Sequence, residues 1–201
     1  MPCTGKAYCI NLKARSDRRI LAEAEFALHN IDVEFIPGVS ASDLSSVRFI
    51  HPGQAANGCS IAHLQIIERA QLLNLPFVTV FEDDVALAHN FNEKYEAAMR
   101  ELPEDWDILY LGGSHVKPTL FHSANLRRVR ATYTTHAYVI RQTLYETFRL
   151  ELRSFRMPAD CYLVEMQPSI KAFTVTPNIA FQRPGFSDIE NKEVNYARLR
   201  Q

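Results

Sequence analysis

The chain has 201 residues, of which 47% are hydrophobic, and its 22 basic and 23 acidic side chains leave a formal net charge of −1. This length and composition predict one hydrophobic core and hence a single domain over residues 1–201. The near-neutral charge excludes a net electrostatic attraction of the whole protein for nucleic acid or an anionic membrane. No apolar run reaches the roughly 20 residues that span a bilayer, and the first residues lack the pattern of a signal peptide, so we expect a soluble, unexported protein without a transmembrane segment.

The first predicted elements are a strand and an amphipathic helix. Residues Lys6–Leu12 form an apolar run that predicts a buried strand. The helix that follows has Ser16 as its candidate N-cap, because a hydroxyl there can accept an unpaired backbone N–H. Leu21, Ala24 and Leu28 recur at the spacing of one helical face, and we expect this face to be buried.

A second strand, a long loop and a second helix are predicted next. The strand covers Val33–Ile36 and stops at Pro37, and the polar segment from Val39 to Asn57 predicts a loop long enough to serve a site. A helix is expected from Gly58 to Asn74. Its apolar face consists of Ala62, Ile66, Ala70 and Leu73.

The third strand, Phe77–Phe81, is apolar or β-branched almost without alternation. This pattern indicates burial on both faces, as in a parallel sheet covered by helices. Further elements alternate along the chain, while the segment from Ser114 to Arg130 shows no clear period. Helices are predicted at Phe91–Leu102, Gln142–Leu152 and Ala159–Met166, and strands at Asp107–Leu111, Ala137–Ile140, Ile170–Val175 and Ile179–Gln182. The alternation indicates an α/β fold with a mostly parallel sheet flanked by helices.

Three consecutive carboxylates, Glu82, Asp83 and Asp84, stand where the third strand ends. Ligands bind at this carboxyl edge in open parallel sheets. In an extended segment Glu82 and Asp84 project to the same side and can share a hard cation, Mg²⁺ or Mn²⁺, while Asp83 points elsewhere. A solvated turn is the alternative, but like charges at the end of a buried strand are costly unless a cation neutralises them. We therefore expect a divalent metal that grips a diphosphate.

A basic cluster follows the first predicted strand. Four cations occur between Asn11 and Arg19, around the start of the first predicted helix. Helix N-termini present unpaired N–H groups, and guanidinium groups pair bidentately with phosphate oxygens. Basic residues on an exposed first turn are otherwise unfavourable to the helix dipole. The cluster therefore predicts contact with a phosphate or a nucleotide.

Four further ionisable residues are isolated in the sequence. His63 falls in the second predicted helix, where a lone histidine is more often packed than functional. His136, Asp160 and Asp188 lie near predicted element ends. Each is compatible with a metal ligand, a base or a capping residue, and these roles stay open on local grounds.

The cysteines show no metal-binding or disulfide pattern. The four are Cys3, Cys9, Cys59 and Cys161. They have neither paired metal-ligand spacing nor the density of a disulfide scaffold. We therefore expect reduced thiols and no zinc site.

Seven fragments of the chain follow one another in a specific order and spacing. They are Tyr8–Arg19 (YCINLKARSDRR), Gly58–Leu64 (GCSIAHL), Phe77–Val85 (FVTVFEDDV), Asp105–Gly112 (DWDILYLG), His136–Ile140 (HAYVI), Met157–Asp160 (MPAD) and Gln182–Ile189 (QRPGFSDI). Together they resemble glycosyltransferase family 25, the lipooligosaccharide and procollagen galactosyltransferase family. The resemblance runs almost from end to end of the chain.

The resemblance implies a Rossmann-like GT-A fold, a UDP-hexose donor such as UDP-galactose, and inversion at the anomeric carbon. A Mn²⁺ or Mg²⁺ ion on Glu82 and Asp84 would neutralise the departing diphosphate. Asp160 is the expected base that takes the proton of the acceptor hydroxyl, with Asp188 or His136 as the alternative base or a further metal ligand. The implied donor contacts are Asn11, Leu12, Arg15, Arg18, His63 and Asp83.

The implied partner is a glycan acceptor, free or lipid-linked, as in lipooligosaccharide or other surface-glycan synthesis. We expect a cytoplasmic enzyme, free or at the inner face of a membrane. Two other functions stay open. A metal-dependent sugar nucleotidyltransferase would require a glycine-rich loop that binds phosphate, and this sequence has no such motif. A noncatalytic carbohydrate-binding protein of the same fold is disfavoured by the intact acidic triplet.

Overall fold

A mixed β-sheet runs through the centre of the computed structural model, which describes residues 5–46, 49–51 and 53–195. Cys3 and positions 47, 48 and 52 of the predicted loop lie outside the described residues. The strands are β1 (Lys6–Leu12), β2 (Val33–Gly38), β3 (Phe77–Glu82), β4 (Val85–Leu87), β5 (Ile108–Tyr110), β6 (Ser114–His115), β7 (Leu120–Phe121), β8 (Leu126–Arg128), β9 (Thr132–Tyr133), β10 (Ala137–Arg141), β11 (Ala172–Val175), β12 (Ala180–Gln182), β13 (Gly185–Ser187) and β14 (Lys192–Val194). The helices are α1 (Ser16–Leu28), α2 (Gln54–Leu72), α3 (Phe91–Glu101), α4 (Gln142–Ser154) and α5 (Ala159–Met166).

Eight strands form the large sheet in the order β2-β1-β3-β10-β5-β11-β8-β7. Strand β1 pairs in parallel with β2 and β3, and β5 pairs in parallel with β11. Strands β8 and β10 are antiparallel to their neighbours. Six of the eight strands therefore run in one direction, which confirms the predicted α/β class with a mixed, mostly parallel sheet.

Apolar side chains and helices cover both faces of this sheet. Helices α2, α4 and α5 pack on one face, and α1 and α3 pack on the other. Along β3, Val78 and Val80 belong to the first cluster and Phe81 to the second, which explains why this strand is apolar at nearly every position. Within the described ranges, no helix combines the length and apolar character needed to cross a membrane.

Helix α1 buries a different face from the predicted one. Ala22 and Phe26 are buried, whereas Leu21 and Leu28 are 50% and 77% exposed. The predicted stripe was wrong because the aromatic ring of Phe26 sets which face turns inward. That ring packs against Phe81 of β3 at a centroid distance of 5.1 Å.

Several predicted boundaries also move. Strand β2 continues through Pro37, because an edge strand tolerates a residue without an N–H. Helix α2 begins at Gln54, so the predicted loop is shorter and holds a 3₁₀ turn at Ser42–Leu44. Leu73 lies beyond the end of α2 and is 51% exposed. Ser16 is the first residue of α1 rather than its cap.

The segment that showed no period, from Ser114 to Arg130, contains three short strands. Strands β7 and β8 extend the large sheet at its edge, and β6 pairs with β9. Each has only two or three residues, which is too short for an alternation of polar and apolar side chains to be visible in the sequence.

Two small antiparallel sheets lie near the acidic cluster. Strand β4, which directly follows the cluster, pairs with β12. Strands β13 and β14 form a hairpin after β12. Both sheets thus bring late parts of the chain back to the carboxyl end of β3.

Candidate active site at the carboxyl ends of the central strands

A cavity of about 660 Å³ opens at the carboxyl ends of β1, β2 and β3. Its walls come from the loop after β2, the starts of α2 and α5, and the β13–β14 hairpin. The sequence-predicted site residues in its wall are Leu12, Arg18, Glu82, Asp83, Asp84, Asp160 and Asp188. The other candidates, which are not part of this wall, are Asn11, Arg15, His63 and His136.

Asp83 is held by residues from the first strand and the first helix. Asn11 Nδ2 donates a hydrogen bond to Asp83 Oδ2 at 2.7 Å, and the guanidinium of Arg18 donates to Oδ1 at 2.9 Å. Burial raises the pKa of Asp83, and the contacts from Asn11 and Arg18 offset this only in part. The carboxylate therefore points toward the start of α1.

Glu82 is held by residues that the sequence analysis did not connect with it. Thr135 Oγ1 donates a hydrogen bond to Glu82 Oε1 at 2.8 Å, and His63 Nε2 lies 3.5 Å from the same oxygen. Burial by itself raises the pKa of Glu82, but His63 and Thr135 outweigh it, and the pKa lies below its usual value. Glu82 is thus kept ionised.

Asp84 has one carboxylate oxygen that its neighbours leave unsatisfied. The guanidinium of Arg18 lies 3.4 Å from Oδ2, while Oδ1 is buried and has no hydrogen-bond partner among the described residues. Burial, followed by the negative charge of Glu82, raises the pKa of Asp84 to about 7. An orphaned oxygen beside two further carboxylates is an arrangement that a hard divalent cation relieves.

His63 lies in the protein core. Its side chain is fully buried, and Nδ1 lies 2.9 Å from the hydroxyl of Tyr138 on β10. The other ring nitrogen faces Glu82. The structure therefore places His63 behind Glu82 and outside the cavity wall. An effect of His63 on a bound donor would act through that carboxylate.

The two arginines at the start of the first helix bind the hairpin formed by β13 and β14. Arg15 donates to Asp188 Oδ2 at 2.7 Å, and Arg18 donates to the carbonyl oxygen of Phe186 at 2.8 Å. Asp17 pairs with the remaining nitrogens of Arg15 and, together with Asp188, raises its pKa further. These contacts hold the hairpin at one wall of the cavity.

Asp160 stands in the first turn of α5, where it forms part of the cavity wall. Its Oδ2 lies 3.4 Å from the backbone nitrogen of Thr134, and the adjacent Thr135 holds Glu82. One short segment therefore connects both carboxylates. His136, which follows it, is 2% exposed, and its ring nitrogens contact the Thr134 hydroxyl and the Ala180 carbonyl. Burial lowers the pKa of His136, so this geometry favours a packing role.

Three residues near the acidic cluster escaped sequence reasoning. Tyr138 lies in the fragment HAYVI, and Thr135 directly precedes it. That fragment carried no chemical signal beyond its order in the chain. The backbone nitrogen of Arg183 donates to the Asp84 carbonyl at 2.7 Å, and its guanidinium pairs with Glu25. Their roles depend on contacts between distant parts of the chain.

Gly58 allows α2 to approach the loop after β2 closely. A Cβ atom at this position would overlap the carbonyl oxygen of Val39. The missing side chain therefore permits the start of α2 to close the cavity and brings the adjacent Cys59 into its wall. Burial, followed by the charge of Glu82, raises the pKa of the Cys59 thiol. Of the cysteines that the structure describes, Cys9, Cys59 and Cys161 are free thiols.

A protein-family model matches most of the chain. A family model described as "Glycosyltransferase family 25 (LPS biosynthesis protein)" matches residues 4–163. This span includes the acidic cluster, Arg15, Arg18 and Asp160, and it ends before the hairpin that holds Asp188.

Curated proteins of the same family share part of this sequence. The chain is 29% identical over 181 residues to "Glycosyltransferase 25 family member" of Anopheles gambiae, with 78% of this chain and 30% of the relative covered. It is 35% identical over 95 residues to "Inactive glycosyltransferase 25 family member 3" of Homo sapiens, with 46% of this chain and 15% of the relative covered. It is 27% identical over 162 residues to "Procollagen galactosyltransferase 2" of Homo sapiens, with 66% of this chain and 25% of the relative covered. The chain spans less than a third of the length of these curated relatives.

A solved structure with a similar fold covers nearly the whole chain. It is described as a glycosyltransferase involved in the glycosylation of the major capsid of PBCV-1, with a TM-score of 0.55 and 10% sequence identity. The alignment covers 92% of this chain and 95% of that chain. At this identity the likeness concerns the fold, which is of the GT-A type that the resemblance implied.

Proposed function

Because the chain belongs to glycosyltransferase family 25, we propose that it is a metal-dependent hexosyltransferase. It moves a hexose, with galactose as the first candidate, from a UDP-sugar to a hydroxyl of a glycan acceptor, with inversion at the anomeric carbon. The name of the human procollagen relative supports galactose. The family description, which names LPS biosynthesis, supports a surface-glycan acceptor, free or lipid-linked. The proposed location is the cytoplasm, free or at the inner face of a membrane.

The observation that carries this proposal is the carboxylate of Asp84 in the cavity wall. Its Oδ1 is buried without a hydrogen-bond partner among the described residues, next to the ionised Glu82. Carboxylate oxygens are the ligands that Mg²⁺ and Mn²⁺ prefer, so Glu82 and Asp84 fit such an ion. When bound, the ion supplies positive charge that neutralises the departing diphosphate.

The start of α1 is the proposed phosphate side of the site. Arg18 lines the cavity between Asp83 and the hairpin, with its side chain 16% exposed, and Arg15 contacts the same Phe186 carbonyl of that hairpin. Guanidinium groups pair with phosphate oxygens in a bidentate way. Asn11 holds Asp83, to which we assign the contact with the donor's ribose or sugar, and Leu12 forms an apolar part of the cavity wall.

Asp160 is the proposed base. As the acceptor oxygen forms its bond to the anomeric carbon, and the bond from that carbon to the UDP oxygen breaks, the hydroxyl proton passes to a carboxylate oxygen of Asp160. Asp188 also lines the cavity, but its carboxylate is paired with Arg15 at 2.7 Å. Because Arg15 occupies the Asp188 carboxylate, Asp160 is the one of the two that is more open to an acceptor hydroxyl in the cavity.

A second candidate function is a noncatalytic carbohydrate-binding role on the same fold. The observation that favours it is the 35% identity to a human relative whose name says that it is inactive. Such a protein would bind a sugar or nucleotide without releasing UDP from a donor. Turnover of the donor therefore separates the two functions.

Calorimetric titration of UDP, with and without Mn²⁺, tests the proposal on the wild type and on Asp84→Asn. We expect metal-dependent binding that Asp84→Asn removes and that the control Glu93→Gln, an exposed carboxylate outside the cavity wall, retains. Slow release of UDP from UDP-galactose in the presence of Mn²⁺ would then identify a transferase. Binding of UDP that ignores both the metal and Asp84 would contradict the metal assignment, and binding without any turnover would indicate the noncatalytic role.

A further inference from the structure

A second group of metal-ligating side chains lies directly behind the acidic cluster. Cys59, His63 and Glu82 each offer one ligand atom, and the three atoms lie within 4.8 Å of one another. Cys59 and His63 are four residues apart on α2, so they project from the same face of that helix. Thiolate, imidazole and carboxylate are the three ligand types that proteins use for zinc.

The Nδ1 atom of His63 already has the kind of contact that a metal-bound histidine usually makes. The ring is fully buried, and Nδ1 lies 2.9 Å from the Tyr138 hydroxyl, while Nε2 has no hydrogen-bond partner among the described residues. A metal-bound histidine typically donates its second ring N–H to an oxygen, which fixes the tautomer and the ring orientation. In the tautomer that donates Nδ1–H to the Tyr138 hydroxyl, Nε2 is left to bind a cation on the side of Glu82.

The separation of two of these ligand atoms fits tetrahedral coordination. Two ligand atoms at roughly 2.0–2.1 Å from a zinc ion subtend a separation of about 3.4 Å at the tetrahedral angle. His63 Nε2 and Glu82 Oε1 are 3.5 Å apart. This distance is long for a hydrogen bond. It is close to the separation expected for two ligands of one zinc ion.

The three ligands leave one coordination position toward the cavity. Cys59 and Glu82 both form part of the cavity wall, whereas His63 closes the group from the core side. Thr135 Oγ1 donates to Glu82 Oε1 at 2.8 Å and steadies that carboxylate. A cation held here would therefore be three-coordinate in protein ligands, with water or a bound molecule as the fourth.

We propose that Cys59, His63 and Glu82 form a binding site for Zn²⁺ or a similar thiophilic divalent cation, with its fourth position open to the cavity. The thiol proton of Cys59 leaves to solvent as the sulfur binds the ion. The isolated cysteine and histidine spacing gave no sign of this site, because its third ligand comes from a strand nineteen residues further along the chain. The proposal shares Glu82 with the proposed function but does not depend on it.

Cobalt absorption spectroscopy tests the site without donor, acceptor or turnover. Co²⁺ is titrated into metal-free wild-type protein, and we expect a thiolate-to-cobalt charge-transfer band that saturates at one equivalent and is bleached by added Zn²⁺. Cys59→Ser should remove the band. The matched control Cys161→Ser should keep it, since Cys161 also lines the cavity but lies outside the three-ligand group.

A second variant separates this site from the proposed diphosphate metal. Asp84→Asn should retain the cobalt–thiolate band while it loses Mn²⁺-dependent UDP binding. Circular dichroism and thermal unfolding confirm that each variant is folded, and Cys59→Ser changes a single side-chain atom. The proposal is overturned if folded wild-type protein shows no charge-transfer band, if Cys59→Ser keeps it, or if Cys161→Ser removes it.

Discussion

The side chain of Asn11 donates a hydrogen bond to Asp83 at 2.7 Å and so joins the end of β1 to the end of β3. The two residues are 72 positions apart in the chain. Both are at least nine-tenths buried, and the guanidinium of Arg18 donates a hydrogen bond to the other oxygen of the Asp83 carboxylate. One amide thereby sets the direction of the middle member of the acidic cluster.

Replacing Asn11 by leucine should destabilise the protein by about 1–3 kcal/mol, because a buried carboxylate then loses one of its two close donors. Urea unfolding of the metal-free protein measures this change. Gln71→Ala, which removes an exposed hydrogen bond to Glu146, serves as a control and should stay within roughly 0.5 kcal/mol of wild type. A leucine variant as stable as wild type would show that Asp83 does not need the amide.

Manganese should stabilise the wild type in thermal unfolding and should not stabilise Asp84→Asn. A ligand at a hundred times its dissociation constant contributes about 2.7 kcal/mol. In the absence of metal we expect Asp84→Asn to be the more stable protein, because the substitution removes a buried charge beside Glu82. Equal manganese stabilisation of both proteins would place the ion elsewhere.

Arg18→Gln should weaken UDP binding by about tenfold or more, since a charge-assisted hydrogen bond contributes about 1.5–3 kcal/mol. Calorimetry in the presence of Mn²⁺ gives the affinity. Arg100→Gln is the control, because that side chain is 71% exposed on α3 and forms no part of the cavity wall. Unchanged UDP affinity in Arg18→Gln would remove the start of α1 from the donor site.

Asp160→Asn should lower the rate of sugar transfer by about 10²–10⁴-fold and leave UDP affinity close to the wild-type value, as expected for loss of a general base. Asp188→Asn is the comparison, because its carboxylate also lines the cavity but is paired with Arg15. Steady-state transfer to a suitable glycan acceptor, together with UDP calorimetry, separates the two effects. An active Asp160→Asn beside an inactive Asp188→Asn would reverse the assignment.

Much of the fold could be predicted from local pattern. The strands at Lys6–Leu12 and Phe77–Phe81 and the helix at Ala159–Met166 appear close to their predicted bounds. Each is a run whose apolar content or periodicity follows from burial of that element alone. Helix α1 shows the limit, because two apolar faces compete in its sequence and only packing of Phe26 on Phe81 selects one.

The candidate site divides in a similar way. The sequence by itself determined the elements of the central sheet, the carboxylates at the end of β3 and the basic residues at the start of α1, because these features depend on neighbours within a few positions. Only the tertiary structure decided that Arg15 pairs with Asp188 across 173 residues and that His63 faces Glu82 from the core. Such pairings depend on how loops return to one edge of the sheet, and the energy of a contact between distant residues leaves no periodic signal in the chain.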